Sequence, residues 1–267
     1  MPGPKCYLHK LLSVFAVIVL TFGTASADES NPEGRLYAPS DDAVADVRQA
    51  LSEAATNDRK ALVVMGANWC HDSRALAARL QRSPLSGVVS NNYELVFVDV
   101  GFLAKGRGVL DELDVPQFYS TPTVLVVDPD SGAVINHEDR HIWGNAYNID
   151  MASSVAYFEK WADAETPAKS ESDELNRLNA EIGAFERQLA ERVAAGYAVV
   201  GPKLAARVGG NSPPDYQASW DILRDFRMAI PKDVLALREE AARRVAAGET
   251  DIVLEYPDYP PLVWELN

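Results

Sequence analysis

The sequence predicts an α/β fold: a mixed β-sheet flanked by helices on both faces, followed by an α-helical C-terminal extension. Three observations lead there. Apolar, β-branched runs at 61–65, 93–100 and 121–127 alternate with stretches whose apolar residues recur every three or four positions, the pattern of strands alternating with amphipathic helices. Asp128-Pro129-Asp130-Ser131-Gly132 is a hairpin turn signal, which adds an antiparallel pairing. From Thr166 the strand-like runs stop and helical periodicity takes over.

The chain has 267 residues, 47% of them hydrophobic, enough for one substantial domain with an appendage or for two small domains. Lys5 and Lys10 precede the apolar run Leu11 to Phe22, and Ala25-Ser26-Ala27 supplies a small-x-small cleavage pattern. The run is short for a membrane span, so residues 1–27 read as a cleavable signal peptide, with an uncleaved anchor as the alternative. The expectation is export, to a periplasm or the outside. Cleavage removes two lysines and no acid, moving the formal charge from −14 to −16. Such a chain repels nucleic acid and anionic membrane surfaces. Cleavage also removes Cys6 and leaves Cys70 with no internal disulfide partner.

Residues 28–40, with Pro32, Gly34 and Pro39, read as a linker. A first domain is expected over 41–165. Ser40-Asp41-Asp42 can cap a helix to about Asn57, with Val44, Val47 and Leu51 on one face. Ala61 to Met65 is the first central strand. A helix follows Cys70, breaks near Ser83-Pro84 and resumes to Val89. Tyr93 to Val100 is a second strand, and the loop Gly101 to Gly108 leads into a short helix through Leu110 and Leu113. Thr121 to Asp128 is a third strand, and Ala133 to Asn136 begins a fourth. Asp150 caps a helix with Val155, Phe158 and Trp161 on one side.

Residues 166–267 form the expected extension. Leu175, Leu178, Ile182, Phe185, Leu189 and Val193 mark one amphipathic helix, which Gly209-Gly210 ends. A second helical stretch surrounds Trp220 to Met228, and Pro231 is expected to open a third. The Tyr- and Pro-rich end, Tyr256 to Trp264, suits an extended, packed tail. Arg192-Val193-Ala194-Ala195-Gly196 recurs as Arg244-Val245-Ala246-Ala247-Gly248, each followed by Pro-Asp-Tyr. This leaves a duplicated unit open, without the sustained period of a solenoid.

Chemistry points to Cys70, at a strand-to-helix junction. A helix N-terminus offers unpaired N–H groups and partial positive charge, which favour thiolate over thiol. The order strand, Trp69-Cys70-x-x-Ser73, helix, then Thr121-Pro122 opening a later strand, with Asp128 to Gly132 as a turn, resembles the thioredoxin superfamily over about residues 41–165. The resemblance implies a thioredoxin-like fold, a cis Pro122 facing Cys70, and Thr121 and Trp69 as partner-binding groups. It implies Cys70 as nucleophile in thiol–disulfide exchange. The sequence also departs from the pattern. Serine stands at 73 where dithiol members carry a second cysteine, and Val64 stands where the family keeps a buried acid. Serine cannot resolve a mixed disulfide, so no resident cofactor is expected and an external thiol such as glutathione becomes the co-reactant. The Ser73 hydroxyl, one turn on, can donate to the sulfur.

His71 has two readings, a protonated neighbour that favours the thiolate or a solvated first-turn residue; Asp72 reads as solvated. His137-Glu138-Asp139-Arg140-His141 matches the zinc-hydrolase pattern H-E-x-x-H, which requires a helix. On the expected hairpin strand the two histidines stand about 13 Å apart, so no metal is expected there. Two functions follow: a monothiol exchange protein that captures a protein thiol or disulfide through Cys70, or a non-enzymatic binding module that docks a partner through the extension.

Overall fold

The computed structural model describes residues 36–166 and 170–266, with Met1 and Gly3. The chain divides into Met1–Pro32 and Glu33–Asn267, and the second unit is described here. The signal-peptide reading of 1–27 lies outside the described residues, apart from Met1 and Gly3.

The first strand, β1 (Lys60–Gly66), is the centre of a three-stranded sheet. It pairs in parallel with β2 (Tyr93–Asp99), from Lys60 opposite Tyr93 to Gly66 opposite Asp99. It pairs antiparallel with β3 (Thr123–Val127), from Ala61 opposite Val127 to Met65 opposite Thr123. A strand with neighbours on both edges and helices on both faces must be apolar throughout, which is why Ala61 to Met65 carries no polar residue. Side chains alternate between two cores. Ala61, Val63 and Met65 face one, Leu62 and Val64 the other.

The helices follow the expected order. The first, α1 (Ala43–Thr56), is capped by Asp42, whose side chain accepts from the Ala45 N–H at 2.9 Å. The crossover between the parallel strands is made by α2 (His71–Leu80) and α3 (Leu85–Asn92). A short α4 (Arg107–Glu112) follows β2. After β3 come a 3-10 segment, Ile142–Asn148, and α5 (Met151–Ala162), which Asp150 caps. Leu76, Leu80, Leu85, Trp143, Phe158 and Trp161 fill the core on the Leu62–Val64 face.

The expected fourth strand is replaced by something more local. Val134 makes one isolated bridge to Val127, and a side chain does the rest. The Val126 N–H donates to Asn136 Oδ1 at 2.8 Å, and Asn136 Nδ2 donates to the Val124 carbonyl at 2.9 Å. The Asn136 amide thus stands in for a strand backbone and covers the open edge of β3. Residues 137–141 are turn, not helix and not strand. The helix that H-E-x-x-H chemistry needs is therefore missing, and no group of three or more His, Cys, Asp or Glu converges among the described residues.

The extension is two long helices, α6 (Asp173–Val208) and α7 (Tyr216–Ala246). Pro231 was expected to open a new helix, but α7 runs through it. The buried residues Leu223, Phe226, Ile230, Val234, Leu237 and Ala241 keep helical spacing across the proline, so burial on one face outweighs the one lost N–H bond. Gly210, at φ +86°, makes the turn between the helices. The tail packs in extended form: Arg192 donates to the carbonyls of Tyr259 and Pro260 and pairs with Glu265, and Tyr259 donates to Asp233. The repeated motif marks no duplication. Its first copy lies mid-α6 with Val193 and Gly196 buried, whereas its second ends α7 with Val245 only half-buried and residues 246–248 exposed.

Buried residues of α6 and α7 join the core that holds Val63 and Met65. The contacts run mainly through loops. Tyr197 stacks on Phe118 and donates to its carbonyl at 2.6 Å. Gly201 has no side chain where the Phe102 carbonyl comes against it. Arg140 pairs with Glu186 at 2.9 Å, with both side chains buried.

Candidate active site at the start of α2

Backbone geometry places Cys70 first. The Val100 N–H donates to the Gly66 carbonyl, and the chain then turns out of β1 through Ala67-Asn68-Trp69. Cys70 is extended, at φ −86° and ψ 123°, and serves as the N-cap of α2. Its sulfur therefore sits at the positive end of a ten-residue helix. The Thr121–Pro122 bond is cis, and this peptide meets the sulfur. The Cys70 thiol donates to the Thr121 carbonyl at 3.1 Å, and the Thr121 hydroxyl donates back to Sγ at 3.5 Å. Cys70 keeps 8% of its surface exposed and Thr121 5%. A strand end, a helix start and the residue before β3 thus converge on one sulfur.

Ser73 lies beside this centre in a different role from the expected one. It is fully buried, and its Oγ accepts from the Ala67 N–H at 3.3 Å. Its carbonyl accepts from the Tyr37 hydroxyl at 3.3 Å. The hydrogen bonds to the Cys70 sulfur come from Thr121, so the donor expected of Ser73 is supplied across the groove instead. Val64 is fully buried among apolar side chains on the face away from Met65. No acid stands at that position.

His71 and Asp72 also differ from a pair of solvated residues. Asp72 is buried, accepts the Tyr147 N–H at 2.9 Å and lies 3.0 Å from His71 Nε2. His71 is exposed and meets the Tyr147 ring edge-on. Its imidazole is turned to Asp72, and Asp72 ties the first turn of α2 to the 3-10 segment. Trp69 donates through Nε1 to the Gly101 carbonyl at 2.7 Å and meets Trp220 of α7 edge-on, with ring centroids 6.2 Å apart. The extension therefore reaches the residue beside Cys70.

Tyr37 is the site neighbour that sequence reasoning missed, because it lies in the stretch read as linker. Its backbone and the Asn68 side chain exchange two hydrogen bonds, and its ring is buried. A Cβ on Gly66 would fall 2.6 Å from that ring and 2.7 Å from Ser73 Oγ, so β1 needs glycine there to seat both. Burial first, and then the nearby Cys70 charge, push the Tyr37 hydroxyl far above the ordinary tyrosine range, against the opposing Ser73 hydrogen bond. Tyr37 stays neutral, a donor to the start of α2. A lone aromatic amid Pro, Gly and Ser was the available signal.

Residues 42–129 match a family described as thioredoxin-like. Among solved structures, a disulphide isomerase from Xylella fastidiosa Temecula1 is similar, with 27% identity over 46% of this chain and 95% of that one, and a TM-score of 0.41. No curated protein matches the chain. No helix among the described residues is long and apolar enough to cross a membrane. Residues 42–129 thus match the thioredoxin-like family and carry a thioredoxin-like fold.

Proposed function

We propose that this is an exported thiol–disulfide exchange protein in which Cys70 alone attacks a partner's disulfide. One observation carries the reading: Cys70 is the N-cap residue of α2, and its sulfur lies 3.1 Å from the carbonyl that precedes cis Pro122. Cys70 loses its proton to water, and the thiolate attacks one sulfur of the partner's disulfide. A new S–S bond forms, the partner's own bond breaks, and the departing sulfur leaves as thiolate and takes a proton from solvent. Ser73 offers no second sulfur. The mixed disulfide is released by an external thiol such as glutathione, or by a second thiol of the partner, which makes isomerisation accessible. Export rests on Lys5, Lys10, the apolar run and Ala25-Ser26-Ala27.

Thr121 serves both stages. While Cys70 holds its proton, the Thr121 carbonyl is engaged as its acceptor. Once the proton leaves, that carbonyl is released to accept an N–H from an extended partner segment, and the Thr121 hydroxyl continues to donate to sulfur. Ionisation and docking therefore favour each other. Trp69 forms the adjacent wall, and His71 stands at the rim.

The burial of Cys70 favours a second reading, a non-enzymatic module that docks partners through the extension, because a sheltered sulfur is held back from attack. One experiment separates the two. The protein is mixed with a peptide containing a disulfide, quenched with acid, and weighed intact. A mixed-disulfide adduct that disappears in Cys70→Ser is expected. No adduct with the parent protein, or an adduct surviving the substitution, overturns the exchange reading.

A further inference from the structure

A cavity of about 490 Å3 opens where the extension lies against the first domain. Four segments wall it: the turn from Ile135 to Arg140, Trp161 of α5, Leu175 to Glu186 of α6, and Pro231 to Ala242 of α7. Packed interiors leave few voids larger than a water molecule, and this one falls within the roughly 300–1,000 Å3 of small-molecule sites. Trp69, Cys70 and Thr121 do not line it, so it is separate from the site already described.

The walls decide what the cavity can hold. Ile135, Trp161, Leu175, Val234 and Leu235 present apolar surface, and Leu175 and Leu235 are only half-buried by the fold. The cations are already paired. Arg140 and Arg238 both converge on Glu186, at 2.9 and 3.6 Å, so neither guanidinium is free for an anion. Glu186 is buried and taken by that pair, so it is not free for a cation. Glu138 and Glu239 are exposed to solvent, where an ion pair contributes little. A charged ligand would lose water here without gaining a buried partner. The Asn179 amide and the His137 imidazole add neutral hydrogen-bonding groups to the lining. Desolvation first, and then Arg140 and Arg238, keep that imidazole uncharged at neutral pH. It therefore has one donor and one acceptor to offer.

We propose that this cavity binds an uncharged, mainly apolar small molecule that carries a polar group able to hydrogen-bond with His137 or Asn179. A concave site closed by four segments suits a molecule of its own volume rather than the broad face of a second protein. Apolar burial supplies the affinity, and the polar groups orient the ligand. The walls come from the first domain and from the extension, so the site exists only where the two are joined.

The probe is phenylnaphthylamine, an uncharged aromatic amine whose fluorescence rises when it leaves water. Titrated into the full chain, it should saturate at one molecule per chain. Leu235→Gln, at a half-buried helix position, should weaken binding about three- to tenfold, the worth of part of a leucine's apolar contact. Ala242→Phe, at an exposed position, narrows the cavity and should act in the same direction; it keeps the test decisive if Leu235→Gln does not fold. The sulfonated analogue, anilinonaphthalene sulfonate, should bind less tightly than the neutral probe. Absence of saturable binding, or binding unchanged in either folded variant, overturns the proposal. So does sulfonate binding as tight as or tighter than that of the neutral probe, which would make this an anion site. A parent dimer in sedimentation that Ala242→Phe dissociates also overturns it, by making the cavity an interface between copies.

Discussion

Glu186 is the residue on which the extension's hold over the site can be measured. It lies on the buried face of α6 and is 3% exposed. Its Oε1 accepts from Arg140 at 2.9 Å and from the Tyr119 hydroxyl at 3.3 Å, and Arg238 approaches Oε2 at 3.6 Å. Tyr119 is two residues before Thr121, so this carboxylate fastens the segment that carries the cis peptide. Replacing Glu186 with Leu leaves the Arg140 guanidinium, with 8% of its side chain exposed, facing an apolar surface. Stranding a buried charge costs about 3–5 kcal/mol. With a urea m-value on the order of 3 kcal/mol/M, the unfolding midpoint should drop by roughly 1 M or more. The double change Arg140→Met/Glu186→Leu removes both charges and should recover most of that loss, since a buried pair replaced by apolar groups is often neutral. Far-UV circular dichroism across a urea series reads both. A single variant within about 1 kcal/mol of the parent, or a double variant less stable than the single, would refute the assignment of Glu186 as the anchor.

Two further outcomes follow from the site and from the turn beside it. Thr121→Val keeps the carbonyl and the side-chain shape but removes the hydroxyl that donates to sulfur, so Cys70 alkylation by iodoacetamide at neutral pH should slow by about two- to tenfold, the worth of one hydrogen bond. An unchanged or faster rate would refute it. His137 is pushed down to about 4 by desolvation first, and then by Arg140 and Arg238. His141 is lowered by burial first and Arg140 second. Between about pH 6.5 and 4 the unfolded chain binds more protons, so stability falls as pH falls through that window. Carboxylates held low by hydrogen bonds, such as Asp128 and Asp150, act in the same direction at lower pH. The His137→Asn/His141→Asn protein should show a flatter stability slope between pH 4.5 and 6.5, read from thermal midpoints, and a parallel slope would refute it.

The central strands were legible because burial on both faces forces continuous apolar runs, and Asp42 and Asp150 were legible as caps because their carboxylates precede helical periodicity. Cys70 and Thr121-Pro122 could be paired in advance only through the family resemblance, since 50 residues separate Cys70 from Thr121 along the chain. The misreadings share a cause. Asn136 replacing a strand edge, Ser73 bonding to Ala67 and Asp72 buried under Tyr147 are side-chain-to-backbone contacts that leave no periodic trace. Pro231 misled for the opposite reason. A strong local breaker was weighed above the apolar spacing that continues across it. Tyr37 was lost to composition, because a polar, proline-containing stretch reads as linker even when one ring in it is buried.

The placement of the extension follows from where the site lies. Trp69 leaves the carboxyl end of β1, and Gly101-Phe102 leaves the carboxyl end of the parallel strand β2. The segment from Phe118 to Thr121 enters antiparallel β3 at that same end of the sheet. Each of these loops is touched by α6 or α7: Trp69 by Trp220, Phe102 by Gly201, Phe118 by Tyr197 and Tyr119 by Glu186. Loops are ordinarily the mobile part of such a sheet. Here the helices hold all three in place, with an edge-on ring contact, a close backbone contact, a stacked ring pair and a hydrogen bond to a buried carboxylate. The extension thus does work at the sulfur that the missing second cysteine and the missing buried acid do not. It fixes the groove in which Cys70 meets Thr121.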